Sequence, residues 1–77
     1  MSIEVKFFAS LREHVGMAQC SLSSAEIKNV SDVWQAAVTD FVMPENTLVA
    51  INMEYVANTQ PVEDGDEVAF FPPVTGG

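Results

Sequence analysis

The sequence predicts an α+β domain: a mixed sheet of about five short strands, one main helix packed on one face, and a short helix after the first strand. Three observations carry this expectation. Short runs rich in β-branched and aromatic residues recur along the 77 residues. One stretch, VSDVWQAAVTDFVMP (30–44), spaces its apolar residues as a helix does. Polar turns such as EDGD separate the later runs, and no repeat, linker or low-complexity tract interrupts the chain. The resulting order is strand, short helix, strand, long helix, strand, strand, strand, which fits a helix laid over one face of a mixed sheet.

Each element has a local reason. In IEVKFF (3–8), Ile3, Val5 and Phe7 alternate with Glu4 and Lys6, the period of a strand with one buried face, and Phe8 falls on the polar side. In ASLREHVG (9–16), Ser10 is expected to cap a short helix with Glu13 completing a capping box, and Gly16 to stop it in a left-handed conformation. AQCSLSS (18–24) alternates weakly, with Cys20 and Leu22 on one side, and reads as a strand returning antiparallel to the first. In the main helix, Ser31 is the expected cap, Asp32 favours the positive end of the dipole, Val33, Trp34, Ala37, Val38 and Phe41 form the apolar stripe, and Pro44 ends it. TLVAIN, MEYVA and EVAFF supply three more strands.

Length and charge narrow the function. A chain this short buries only about 60% of the surface its unfolded form exposes, yet 48% hydrophobic residues suit a packed core rather than disorder. Three basic residues, Lys6, Arg12 and Lys28, against eleven acidic ones give a net charge of −8. Such a surface repels phosphate backbones and anionic lipid, so neither nucleic acid nor a membrane is an expected partner. Two readings of the acidity stand: it keeps the protein soluble, or it selects partners that present Lys and Arg. A single cysteine, Cys20, excludes an internal disulfide and multi-cysteine zinc frameworks. With no secretory pattern in MSIEVKFFASL and no apolar run approaching the ~18 residues of a membrane span, a cytoplasmic protein is expected.

Parity then points to a second face. If Val68 and Phe70 join Ile3, Val5 and Phe7 in the core, Ala69, Phe71 and Phe8 point the other way, and Tyr55 joins them if Val56 faces the helix. Phe8, Tyr55 and Phe71 would then form an exposed aromatic patch of the kind that marks protein contacts, unless loops cover it or the strand registers differ. A domain over residues 1–71 is expected to give way to a tail over 72–77. Pro72 and Pro73 fix their backbone angles and lack amide hydrogens, so the chain should leave the sheet extended. At ~3.3 Å per residue, such a tail reaches ~20 Å, and Gly76 and Gly77, without Cβ atoms, could thread a narrow channel.

The ending FFPPVTGG, with the preceding EDGDEVA and the early KFFASLREHVG, resembles the small, sulfur-carrying subunit of molybdopterin synthase, a family with the ubiquitin-like β-grasp fold. The order of elements agrees along the full chain, whereas residues 17–46 carry no diagnostic motif. The resemblance implies that Gly77 bears a thiocarboxylate. A terminal carboxylate is ionised at neutral pH and a poor electrophile; in the family, an ATP-dependent adenylating enzyme related to ubiquitin activators activates it, and a sulfur donor converts it. The charged tail enters the large synthase subunit, usually in a two-plus-two heterotetramer, and passes its sulfur to cyclic pyranopterin monophosphate. By the same resemblance Gly76 allows passage, Phe8, Tyr55 and Phe71 dock the large subunit, and Pro72, Pro73, Val74 and Thr75 line the interface. Tyr55 departs from the aliphatic residue usual there. Catalytic side chains are expected on the large subunit, with no cofactor or metal held by the carrier itself.

The remaining candidates have plainer readings. Cys20 reads as a small buried hydrophobe, His14 as a helix-end residue without a second ligand, and DGD as a turn lacking the other ligands of a calcium loop. Two rivals keep the tail chemistry: a sulfur carrier for the thiamine thiazole, against which the paired prolines and their aromatic lead-in argue, and a ubiquitin-like modifier joined to lysines through Gly77. A third rival is a binding module whose aromatic patch does all the work.

Overall fold

A computed structural model describes residues 2–72. The expected tail is thus described only at Pro72; Pro73, Val74, Thr75, Gly76 and Gly77 lie outside the described residues. Seven elements follow one another: β1 (Ser2–Phe7), α1 (Ala9–Val15), β2 (Gln19–Ser23), α2 (Val30–Ala37), β3 (Leu48–Ile51), β4 (Glu54–Val56) and β5 (Glu67–Phe71). The strands form one sheet in the order β2-β1-β5-β3-β4. The β1–β5 pair is parallel and the other neighbours are antiparallel, giving the mixed sheet and α+β layout that the sequence predicts.

The register makes the parity argument concrete. Val5 lies opposite Val68 and Phe7 opposite Phe70 across the parallel pair, while Cys20 and Leu22 of β2 face Val5 and Ile3. These side chains line the face that α2 covers. Ile3, Val5, Val30, Val33, Val68 and Phe70 are wholly buried, and Phe7 and Trp34 nearly so. Phe7 and Phe70 stack with ring centroids 5.7 Å apart, and Trp34 meets them edge-on at 5.9 and 5.1 Å. Full burial of each such side chain contributes about 1.5–3 kcal/mol, and each aromatic pair adds about 0.5–1.5 kcal/mol. The indole N–H of Trp34 donates to the Phe41 carbonyl at 3.0 Å, so the one polar atom of this cluster is satisfied.

The helix ends differ from expectation in an instructive way. Asn29, not Ser31, caps α2: its carboxamide oxygen accepts from the Asp32 N–H at 3.0 Å, and the Asp32 carboxylate accepts from the Lys28 and Asn29 amides. Ser31 falls inside the first turn, where its own amide donates to the Asn58 carbonyl. The helix closes at Ala37, earlier than Pro44, with Val38 in an extended conformation as C-cap. Val38 and Thr39 are β-branched, which weakens the preference for another turn. Phe41 therefore lies beyond the helix and is 42% exposed, outside the stripe assigned to it.

At α1 the expected capping box does not form. Phe8 is the N-cap and makes no side-chain capping bond, while Ser10 is already helical. The reason is that Phe8 still belongs to the sheet, its amide donating to the Phe70 carbonyl at 3.1 Å. Gly16 does end the helix left-handed, at φ 88°. Gly65 supplies the left-handed residue of the EDGD turn at φ 90°, where the Asp66 carboxylate accepts from the Glu63 amide at 2.8 Å.

The β3–β4 hairpin turns through Asn52 and Met53 at φ 50° and 72°, the left-handed pair of a type I′ turn, which favours Asn-Gly. Met53 is 91% exposed, so no packing offsets its conformation. We expect Met53→Gly to raise the unfolding free energy by about 0.5–1 kcal/mol, since left-handed backbone costs a residue with a Cβ about 1–2 kcal/mol and glycine returns part of that in unfolded-chain entropy. Urea denaturation checks this; an unchanged or lower midpoint at unchanged slope contradicts it.

Candidate functional site

The side of the sheet away from α2 is divided. Register sets Lys6 opposite Ala69, Ala69 opposite Ala50 and Phe71 opposite Leu48, and Ala50 opposite Tyr55. One half of this outer face is therefore apolar, built from Phe71, Leu48, Ala69, Ala50 and Tyr55, with Phe8 continuing it past the end of β1. Ala50 and Ala69 are buried despite facing outward, being small side chains among larger neighbours. The other half is polar: Lys6 pairs with Glu67 at 3.3 Å, and the Ser21 hydroxyl donates to Glu4. The Lys6–Glu67 pair is about 40% exposed on both sides and, as a solvated ion pair, contributes at most about 1 kcal/mol.

The three aromatic residues singled out from sequence come together. Phe8 and Phe71 stack nearly parallel, 4.8 Å apart with 7° between their planes, and Tyr55 leans on Phe71 at 6.1 Å. Phe8 is 39% and Tyr55 71% exposed, so none of the described loops covers the patch. Because Phe7 pairs with Phe70 in parallel register, the next residues emerge side by side on the opposite face, one aromatic stack behind the other. Pro72 follows Phe71 directly, so in sequence the patch immediately precedes the segment 72–77. Leu48 belongs to the same surface and escaped the sequence reading, because its neighbour Phe71 is fixed by the β3–β5 register, which no local pattern reveals.

The other reactive side chains are dispersed. Among the described residues, no group of three or more His, Cys, Asp and Glu side chains could hold a metal ion. His14 lies with its ring 4.6 Å from that of Phe41, on the loop after α2. Cys20 is a half-buried free thiol that packs against the core. Burial, and secondarily the negative charge of Glu4, raises its pKa above the ordinary thiol value.

A family model described as the ThiS family matches residues 5–77. The chain belongs to the ThiS family. Among similar proteins, the molybdopterin synthase sulfur carrier subunit of Escherichia coli (strain K12) is 41% identical over 97% of this ThiS-family chain and 99% of its own. The subunit of the same name from Haemophilus influenzae is 37% identical over 97% and 99%. Among solved structures, SAMP1 from Haloferax volcanii superposes with a TM-score of 0.77 at 29% identity, over 100% of both chains. A complex of subunits 1 and 2 of the molybdopterin-converting factor from Helicobacter pylori 26695 includes a chain of the same fold, with a TM-score of 0.67 at 22% identity over 100% of both chains.

The raised pKa of Cys20 gives a direct expectation. At pH 8 the folded protein should react with iodoacetamide more slowly than the urea-unfolded chain, because it holds less thiolate and shields the sulfur. As pH rises through the ordinary thiol range the unfolded chain releases its proton first, so stability should fall in that window, and Cys20→Ala should flatten the fall. Equal alkylation rates in both states would refute this.

Proposed function

We propose that this ThiS-family chain is the sulfur carrier subunit of a molybdopterin synthase. The observation that carries the reading is the aromatic stack of Phe8 and Phe71 at the root of a segment ending in Gly76-Gly77. That arrangement occurs in a chain similar, over nearly its whole length, to two proteins named as such carriers.

In this reading the Gly77 carboxylate attacks the α-phosphorus of ATP in an adenylating enzyme, giving an acyl-adenylate and pyrophosphate. A sulfur donor supplies sulfide equivalents that displace AMP and leave a thiocarboxylate. The outer sheet face docks on the synthase large subunit through Phe8, Tyr55 and Phe71. Pro72, Pro73, Val74 and Thr75 lead the terminal Gly76-Gly77 into that subunit's active site. There the sulfur passes to cyclic pyranopterin monophosphate, water restores the carboxylate, and two deliveries complete the dithiolene. The carrier contributes a tethered reagent and its positioning, while catalytic side chains belong to its partners. A net charge of −8 favours a partner whose contact surface is basic, and a two-plus-two heterotetramer is the assembly we expect.

A second reading, a protein modifier joined to lysines through Gly77, draws support from the likeness to SAMP1. A thiamine-type carrier is less favoured, because the curated relatives above are molybdopterin synthase subunits. Intact-mass analysis of the protein from cells separates carrier from modifier: exchange of one oxygen for sulfur on the free chain is expected, and ladders of conjugates without it would favour the modifier.

Two variants test the division of labour. Extending the chain by one residue after Gly77 should abolish sulfur transfer while leaving affinity for the large subunit within a few fold. Phe71→Ala should weaken that affinity by about 2 kcal/mol or more, as expected of a buried aromatic anchor, with a smaller effect on adenylation of Gly77 at saturating enzyme. An extended chain that still delivers sulfur would refute the carrier reading.

A further inference from the structure

Two described residues with apolar side chains take left-handed backbone: Met53, placed there by the two-residue hairpin turn, and Ala9, which takes φ 53° outside any such hairpin. Most of the other left-handed positions, Gly16, Asn46, Asn52 and Gly65, are held by residue types that tolerate that conformation. Ala9 opens a helix, where right-handed backbone is the rule. Its side chain is exposed, so burial gives no reason for the strain.

The reason lies in what adjoins it. Phe8 is extended, at φ −122° and ψ 154°, and its amide donates to the Phe70 carbonyl at 3.1 Å, prolonging the β1–β5 ladder by one residue. Its own carbonyl accepts from the Leu11 amide at 3.1 Å, and Leu11 is buried in the core. Between a residue tethered to β5 and one buried three positions later, the chain must reverse in a single step. A left-handed Ala9 makes that step while the Phe8 ring remains over Phe71, 4.8 Å away.

We infer that Ala9 is a positioning residue for the docking face: its left-handed backbone locks Phe8 into the stack on Phe71 and so presents the aromatic patch ready-made to the large subunit. This inference rests on the docking role proposed above. It assigns to an exposed, chemically inert residue a part in partner affinity, since a ring already held in its bound position loses less freedom on binding.

The test compares backbone preference at one position. A chain this short can be assembled by chemical synthesis, so Ala9 can be replaced by its D-enantiomer, which favours positive φ, alongside Ala9→Gly and Ala9→Val. The aromatic proton shifts of Phe8 and Phe71 in the free protein report the stack through ring currents, and titration with purified molybdopterin synthase large subunit reports affinity. The D-enantiomer and Ala9→Gly should keep both, with the D-form melting higher than the unchanged chain. Ala9→Val should move the Phe8 and Phe71 shifts, leave those of Phe7, Trp34 and Phe70 in place, and weaken binding at least tenfold.

Native stacking and affinity in a folded Ala9→Val protein would overturn the inference. Should that variant not fold, loss of the stack in the D-form would overturn it and retention with a raised melting temperature would support it. Phe8→Ala is the control: if it binds as the unchanged chain does, the docking face is wrongly assigned, whereas the ring-current comparison still decides what Ala9 does to the stack.

Discussion

The structure depends on the parallel register that sets Phe7 against Phe70. With Trp34 closing over them, these rings tie the first strand, the last strand and the main helix into one cluster. Because strand side chains alternate, the same register has no freedom about the following residues: Phe8 and Phe71 must emerge together on the far side. Core and docking face are thus two outcomes of one constraint. A slip of β1 by one residue would send Phe7 outward and Phe8 inward while Phe70 and Phe71 kept their places, breaking both pairs at once.

This coupling explains why so much of the candidate site could be read from the chain itself. FF occurs at 7–8 and again at 70–71, each at the end of a run with period-two alternation, so parity assigns one ring of each pair to each face. Tyr55 followed from the same argument through Val56, its half-buried neighbour. What parity cannot supply is which strands adjoin. Leu48 on the patch depends on the β3–β5 pairing, contacts far apart in sequence.

Helix ends were less legible, for a different physical reason. Ser, Thr, Asp and Asn all accept a bond from a helix amide, so Asn29 and Ser31, two residues apart, compete as caps on similar terms. Tertiary contacts decide: the Lys28, Asn29 and Asp32 groups bond one another, and the Asn58 and Gln60 carbonyls take the amides of Ser31 and Val30. At α1 the Ser10 and Glu13 pair matched the pattern of a capping box, but the sheet kept hold of Phe8 and moved the entry point. Local preference yielded in both places to hydrogen bonds made across the fold.

The last strand lies in the interior of the sheet, flanked by β1 on one side and β3 on the other. Traction applied beyond Phe71 along the strand direction therefore strains two ladders of hydrogen bonds simultaneously, sideways to their length, instead of unzipping one edge rung by rung. A partner can draw on the end of this chain without peeling the globule apart, and the anchorage is built from backbone, insensitive to which side chains the partner grips.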